Sequence, residues 1–297
     1  MEKVFNANGK KIIINNNEAV NLFLHTLNIY DLLGNHGVEY ELRQNKNVIK
    51  SINIKIKEDV AQGDCYFSYG NLSIFETGMN YIVNNALWNK KINQENINMG
   101  ITQMDFGKAF EKSWNEFFKD YWYSTLNDKE KIFQECINSF DFIGSSEKMI
   151  FAAHCDFPDD FYIFPVDALS HSALLFNNNI CMGTLEIGYD IGFVHEGLHL
   201  LLKEEWANDL EILEIMAKTD YKDELYNSWK AKYEQALVVG LDCCIRNKDD
   251  NFAERYYRNC GVDSIFNVCY PFIKDYYMNG CKESIENLMR RIIYETI

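Results

Sequence analysis

Proline is scarce, three in 297 residues, and no stretch is rich in glycine, serine and proline. No flexible linker is therefore expected between large domains. Positive charge is in the minority: 29 lysines and arginines stand against 44 aspartates and glutamates, a formal net charge of -15. A phosphate backbone needs a positive field, so general nucleic-acid binding is excluded. No apolar run approaches the roughly 20 residues of a membrane span. Met1 to Ala7 leads into lysines and asparagines, not into the apolar stretch of an export signal. No Cys-x-x-Cys pair occurs, and the adjacent Cys243 and Cys244 are not spaced for zinc. The nine cysteines are expected to be reduced, mostly small core residues of a cytoplasmic protein.

What is present is a globular composition, 47% hydrophobic and 25% charged. Lys10 to Ile14 is a short apolar strand candidate, followed by helical spacing from Glu18 to Leu33 that Gly34 stops. Aromatic-rich helices are expected over 74–88 and 106–123, and another over 128–140. After Ser146 the texture changes. Asp160–Val166, Ser172–Phe176 and Ile180–Ile187 favour β-structure, with Asn177–Asn179 as a tight turn. From Ile191 the period switches to helix, and further helices are expected over 205–217, 223–246 and 283–294. Strands followed by long helices give an α+β layout. One continuous body is expected, a mostly helical region 1–145 packed on a second region 146–297.

The most informative residues are His195-Glu196-Gly197-Leu198-His199. Histidines four apart on a helix point to one side, so both rings can reach one tetrahedral zinc ion at about 2.0–2.1 Å. The intervening Glu196 can take the proton of a zinc-bound water, the minimum equipment for hydrolysing an amide. Ile191, Phe193, Val194, Leu198, Leu200, Leu201 and Leu202 make this helix apolar. Polar side chains inside it are costly unless paired or ligated. The alternative is a hydrogen-bonded pair of core histidines with Glu196 as partner.

A catalytic zinc ordinarily has three protein ligands and an open position. Glu234 is the first choice for the third, because helical spacing sets it over Leu237, Val238, Leu241 and Ile245, where a lone carboxylate should not sit. Glu214 is the rival, beside an apolar stripe at Trp206, Leu210, Leu213 and Ala217. The oxyanion of an amide hydrolysis needs a further partner; His154, Tyr270, Tyr276 and Tyr277 are the candidates. A structural role suits His154 better than a place in the cleft, and His171 reads as a surface or packing residue. His25 and His36 have nothing nearby in sequence to recruit them.

The motif with its downstream glutamate resembles the gluzincin branch of zinc metallopeptidases, and is most similar to poorly characterised bacterial members, over about Asp160 to Arg246. The resemblance implies His195 and His199 as ligands, Glu196 as general base and Glu234 as third ligand. It departs at Tyr233-Glu234, where better-known members often carry Asn-Glu. It also implies a zincin-like fold, a small mixed sheet with an edge strand beside the motif helix and a mainly helical C-terminal part. Residues Ile180, Met182, Thr184 and Glu186 would form that edge, against which a peptide or protein substrate lies extended. The expected function is zinc-dependent hydrolysis of peptide bonds, as an endopeptidase before an exopeptidase, with no nucleic-acid or membrane partner. The alternatives are an inactive zincin-fold binding module and a zinc hydrolase for a non-peptide amide.

Overall fold

Asn8 and Gly9 have φ of 48° and 83°, the left-handed pair that a two-residue hairpin turn demands. They join strands β1 (Glu2–Ala7) and β2 (Lys10–Asn15) at one side of a five-stranded sheet ordered β1-β2-β3-β5-β4. The computed structural model describes residues 2–29, 118–169, 173–176, 179–183, 189–202, 204–219, 226 and 228–296. The helix expected over 74–88, most of that over 106–123, and His36, His171, Thr184 and Glu186 lie outside them.

The chain divides into two compact units. One takes the described residues of 1–5, 11–141 and 161–192; the other takes those of 6–10, 142–160 and 193–297. The strand-bearing segment after 161 thus groups with the N-terminal part and not with the later helices.

In the first unit, β3 (Phe161–Val166) runs parallel to β2 on one side and to β5 (Asn179–Gly183) on the other. Its burial is nearly continuous, as expected of an inner strand covered on both faces. β4 (Ala173–Phe176) pairs antiparallel with β5 from Ala173↔Met182 to Phe176↔Asn179. The expected edge strand is therefore corrected. Ile180 and Met182 belong to an internal strand with ladders on both sides, so no peptide can add to Ile180–Gly183. The reason is legible in the residues: Ile180, Cys181 and Met182 are all buried, an unbroken apolar run instead of the alternation of a half-exposed strand.

Helix α1 (Glu18–Ile29) starts at Asn17, whose side chain accepts from the Val20 N–H at 3.0 Å. Buried Asn21 donates to the carbonyls of Asn17 and Pro165, at 2.9 and 3.1 Å, which ties α1 to β3. One helix, α2 (Lys119–Ser139), covers the end of the 106–123 expectation and most of the 128–140 one. Asp167, just past β3, gathers His25 from α1 (Nε2 to Oδ1, 2.5 Å) with Tyr121 and Lys129 from α2. The Lys129 ammonium also lies 4.3 Å from the Tyr121 ring centroid and 4.6 Å from that of Trp122. His25 is thus recruited after all, by a carboxylate 142 positions away.

The second unit holds α3 (Phe142–Ala153), most of α4 (Tyr189–Leu201), α5 (Leu210–Ala217), α6 (Trp229–Ile245), α7 (Asp250–Asn259), α8 (Phe266–Met278) and α9 (Ile285–Thr296). Helix α6 is its centre, buried from Ala236 through Cys243 and packed against α3, α7 and α8. Two glycines set the close approaches. A Cβ on Gly197 would come within 2.8 Å of the Met149 sulfur, and one on Gly240 within 2.7 Å of both Ile273 Cδ1 and the Tyr257 hydroxyl. The architecture is α+β with a mainly helical C-terminal part.

Candidate functional site

Helix α4 carries the motif histidines on one side, as the spacing requires. Their ring centroids are 5.1 Å apart and the rings are edge-on, at 69°. The helix can lie deep because Gly197, between them, leaves room for Met149 and Phe157 of the same unit. Phe193, Val194, Leu198 and Leu201 bury its other sides.

His195 is held at both ring nitrogens. Nδ1 is 2.9 Å from the Tyr256 hydroxyl of α7, and Nε2 is 3.2 Å from the Gln235 amide nitrogen of α6. An amide nitrogen can only donate, so Nε2 accepts and the ring proton sits on Nδ1. Burial pushes the His195 pKa well below its usual value, with the charges of His199 and Arg246 adding to the effect. The ring is neutral, the form that ligates a metal.

Behind Tyr256 stands a buried ion pair on α6. Arg246 Nε is 2.5 Å from Asp242 Oδ1, and Nη2 is 3.0 Å from Oδ2. The guanidinium also faces the rings of Phe252 and Tyr256, at 5.3 and 5.9 Å. Burial raises the Tyr256 pKa well above the usual phenol value, and the charge of Asp242 and a hydrogen bond to it add to this.

His199 meets Glu234 of α6, Nδ1 to Oε1 at 2.7 Å. Burial is the largest single influence on this ring and lowers its pKa. The Glu234 hydrogen bond, the charges of Glu196 and Glu234, and Gln235 together outweigh it and raise the pKa above the usual histidine value.

The structure therefore brings His195, His199 and Glu234 together. It places Glu214 on the exposed side of α5. His154 is exposed in a left-handed conformation, φ 55°, just after α3, with its ring centroid 6.3 Å from that of Tyr276. The Tyr276 hydroxyl donates to the Ala152 carbonyl at 2.7 Å. Tyr270 stacks on Phe266 at 5.3 Å and meets Tyr257 edge-on, and Tyr277 is half-buried on the same helix. Among the described residues it is Tyr256, not one of these, that bonds His195. Sequence reasoning missed Tyr256, Gln235, Asp242 and Arg246. One signal was available: an acid and a base four apart within the apolar run of α6 mark a buried pair.

The residues fit a zinc ion at two positions. Each ring has its Nδ1 engaged, His195 with Tyr256 and His199 with Glu234, as outer partners engage zinc-binding histidines, but Nε2 of His195 is itself bonded to Gln235, which a metal would have to displace. At the third position the fit is incomplete, since Glu234 contacts the Nδ1 side of His199. Among the described residues, no group of three His, Cys, Asp or Glu side chains is arranged to hold a metal ion.

No family model matches the chain, and no similar curated protein or solved structure was found. Cys155, Cys181, Cys243, Cys244, Cys260, Cys269 and Cys281 are free thiols. No helix among the described residues is long and apolar enough to cross a membrane.

Proposed function

We propose that this protein is a zinc-dependent hydrolase of peptide bonds with a zincin-like catalytic helix. The reading rests on one observation: two histidines one turn apart, each oriented through Nδ1, with two carboxylates beside them. His195 and His199 would hold the ion through Nε2, with the Gln235 amide displaced from His195. Glu234 is the third ligand in this reading, and ligation would exchange its bond to His199 Nδ1 for one to the metal. Zinc, when bound, supplies Lewis acidity and acidifies water at neutral pH. Glu196 then acts as the base. It takes a proton from the attacking water and returns it to the leaving amide nitrogen, so the peptide departs as a neutral amine.

The test pairs metal analysis with turnover. Protein purified under zinc-replete conditions is expected to carry one zinc per chain and to cleave members of a random peptide library. Removal of the metal with a chelator should abolish cleavage, and zinc should restore it. Metal-free protein after such a preparation would overturn the reading.

A second reading is a non-catalytic binding module that keeps the fold, with or without the metal. Its support is that Gln235, Glu234 and Tyr256 already engage both rings. Zinc without cleavage of any peptide would favour the module. Cleavage confined to non-peptide amides would favour a hydrolase of another substrate class.

A further inference from the structure

We infer that Tyr256, held by the buried Asp242–Arg246 pair, is a positioning residue that fixes the tautomer of His195 and makes Nε2 its ligand atom. This rests on the zinc reading for its consequence, though not for the tautomer itself.

Arg246 has only donors and fills both Asp242 oxygens, at 2.5 and 3.0 Å. Asp242 is wholly buried, and its charge acts on Tyr256 beside the pair. The Tyr256 hydroxyl is 2.9 Å from His195 Nδ1. The opposite side of the ring sets the direction: the Gln235 amide nitrogen faces Nε2 at 3.2 Å and can only donate, so Nδ1 carries the hydrogen and the phenol oxygen accepts it. The elements involved are rigid ones. Asp242 and Arg246 lie one turn apart at the end of α6, and Tyr256 sits on α7, whose start is capped by the Asp249 side chain accepting from the Phe252 N–H at 2.7 Å.

A carboxylate is the usual group behind a metal-bound histidine, and it often touches the ring directly. Here the phenol is interposed, so the orienting charge acts through a neutral oxygen. A neutral acceptor leaves the imidazole less basic than a direct carboxylate would, while fixing its orientation as firmly.

Long-range proton–nitrogen NMR of the metal-free protein with nitrogen-labelled histidine reads the tautomer. The His195 signals are identified by their loss in His195→Gln. The native protein is expected to show a protonated Nδ1 and a bare Nε2 on His195, and Tyr256→Phe to shift the ring towards the other tautomer. Zinc titration is expected to give an affinity 10- to 100-fold weaker for Tyr256→Phe, about the size such outer partners contribute, with the melting curve still cooperative. Arg246→Lys, which keeps the charge but not the two-pronged contact, should fall between native and Tyr256→Phe. A native His195 protonated on Nε2, or a Tyr256→Phe protein with native tautomer and affinity, would overturn the inference. If native protein shows the expected tautomer but binds no zinc, the positioning stands and the zinc reading fails.

Discussion

Oε1 of Glu234 lies 2.7 Å from Nδ1 of His199, on the opposite side of the ring from Nε2, the nitrogen that the proposed zinc would use. This contact separates two roles for one carboxylate. Glu234→Gln keeps an oxygen that can accept from Nδ1, yet an amide is a poor zinc ligand. As third ligand, Glu234 predicts that this variant loses more than the roughly 100-fold in zinc affinity that an orienting partner contributes. Calorimetric titration with zinc measures it. Near-native affinity in Glu234→Gln would reassign the residue to orienting His199.

Glu196 should be separable from metal binding. Glu196→Gln is nearly isosteric and cannot accept a proton at neutral pH, so it should keep its zinc and lose about 10²–10⁴-fold in kcat. The charge of Glu196 also helps to raise the His199 pKa, so the metal-free variant should titrate His199 at lower pH than the metal-free native protein. Unchanged kcat on a cleaved peptide would remove Glu196 from the chemistry.

The motif helix was legible because both its period and its ligand spacing are local. β3, β4, α6 and α9 likewise announce themselves by apolar runs or helical periodicity. What escaped depends on distant partners or on conflicting local signals. The β1–β2 hairpin is marked by Asn8-Gly9, yet Glu2 and Lys3 dilute the apolar pattern of β1. Helix α8 contains Pro271, a residue that argues against a helix interior, and it buries Tyr270 and Tyr276. The order of strands is set by tertiary pairing: the apolar run Ile180–Met182 marks an inner strand, but not that β4 would lie on one side and β3 on the other. His25 shows the same limit: its partner Asp167 is visible only once the chain has folded.

Gly240 tests the packing around α6. A Cβ there would stand 2.7 Å from the Tyr257 hydroxyl and 2.7 Å from Ile273 Cδ1. Both neighbours are fully buried, and the Tyr257 hydroxyl is already spent on the Ala236 carbonyl at 2.7 Å. Neither can retreat without breaking that bond or compressing α8. Gly240→Ala should therefore lose about 1–3 kcal/mol to overpacking, against a gain of up to roughly 1 kcal/mol in helix propensity. Urea unfolding should show a net loss of stability, and a variant as stable as the parent would mean that α7 and α8 do not approach α6 this closely.

The final prediction concerns acid stability at the start of α5. Asp209 Oδ1 accepts from the N–H groups of Glu211 and Ile212, at 3.0 and 3.1 Å, and Oδ2 is 2.5 Å from Arg290 Nη2 on α9. The Arg290 hydrogen bond, followed by the Ile212 N–H, holds the Asp209 pKa below its usual value; partial burial opposes them and loses. A carboxylate whose pKa is depressed by folding adds stability above its unfolded pKa of about 3.9 and loses it as pH falls through the lower folded value. At pH 7, Asp209→Ala should cost about 0.5–2 kcal/mol, the usual range for a lost helix cap. Asp209→Asn should recover part of that loss, since its oxygen still caps α5 without drawing in the Arg290 charge. The stability gap between native protein and Asp209→Asn should be flat from pH 7 to about 5 and then close as the native carboxyl takes up its proton. Urea midpoints followed downward in pH give both curves; a gap that stays constant or widens in acid would show that Asp209 is not stabilised as an anion.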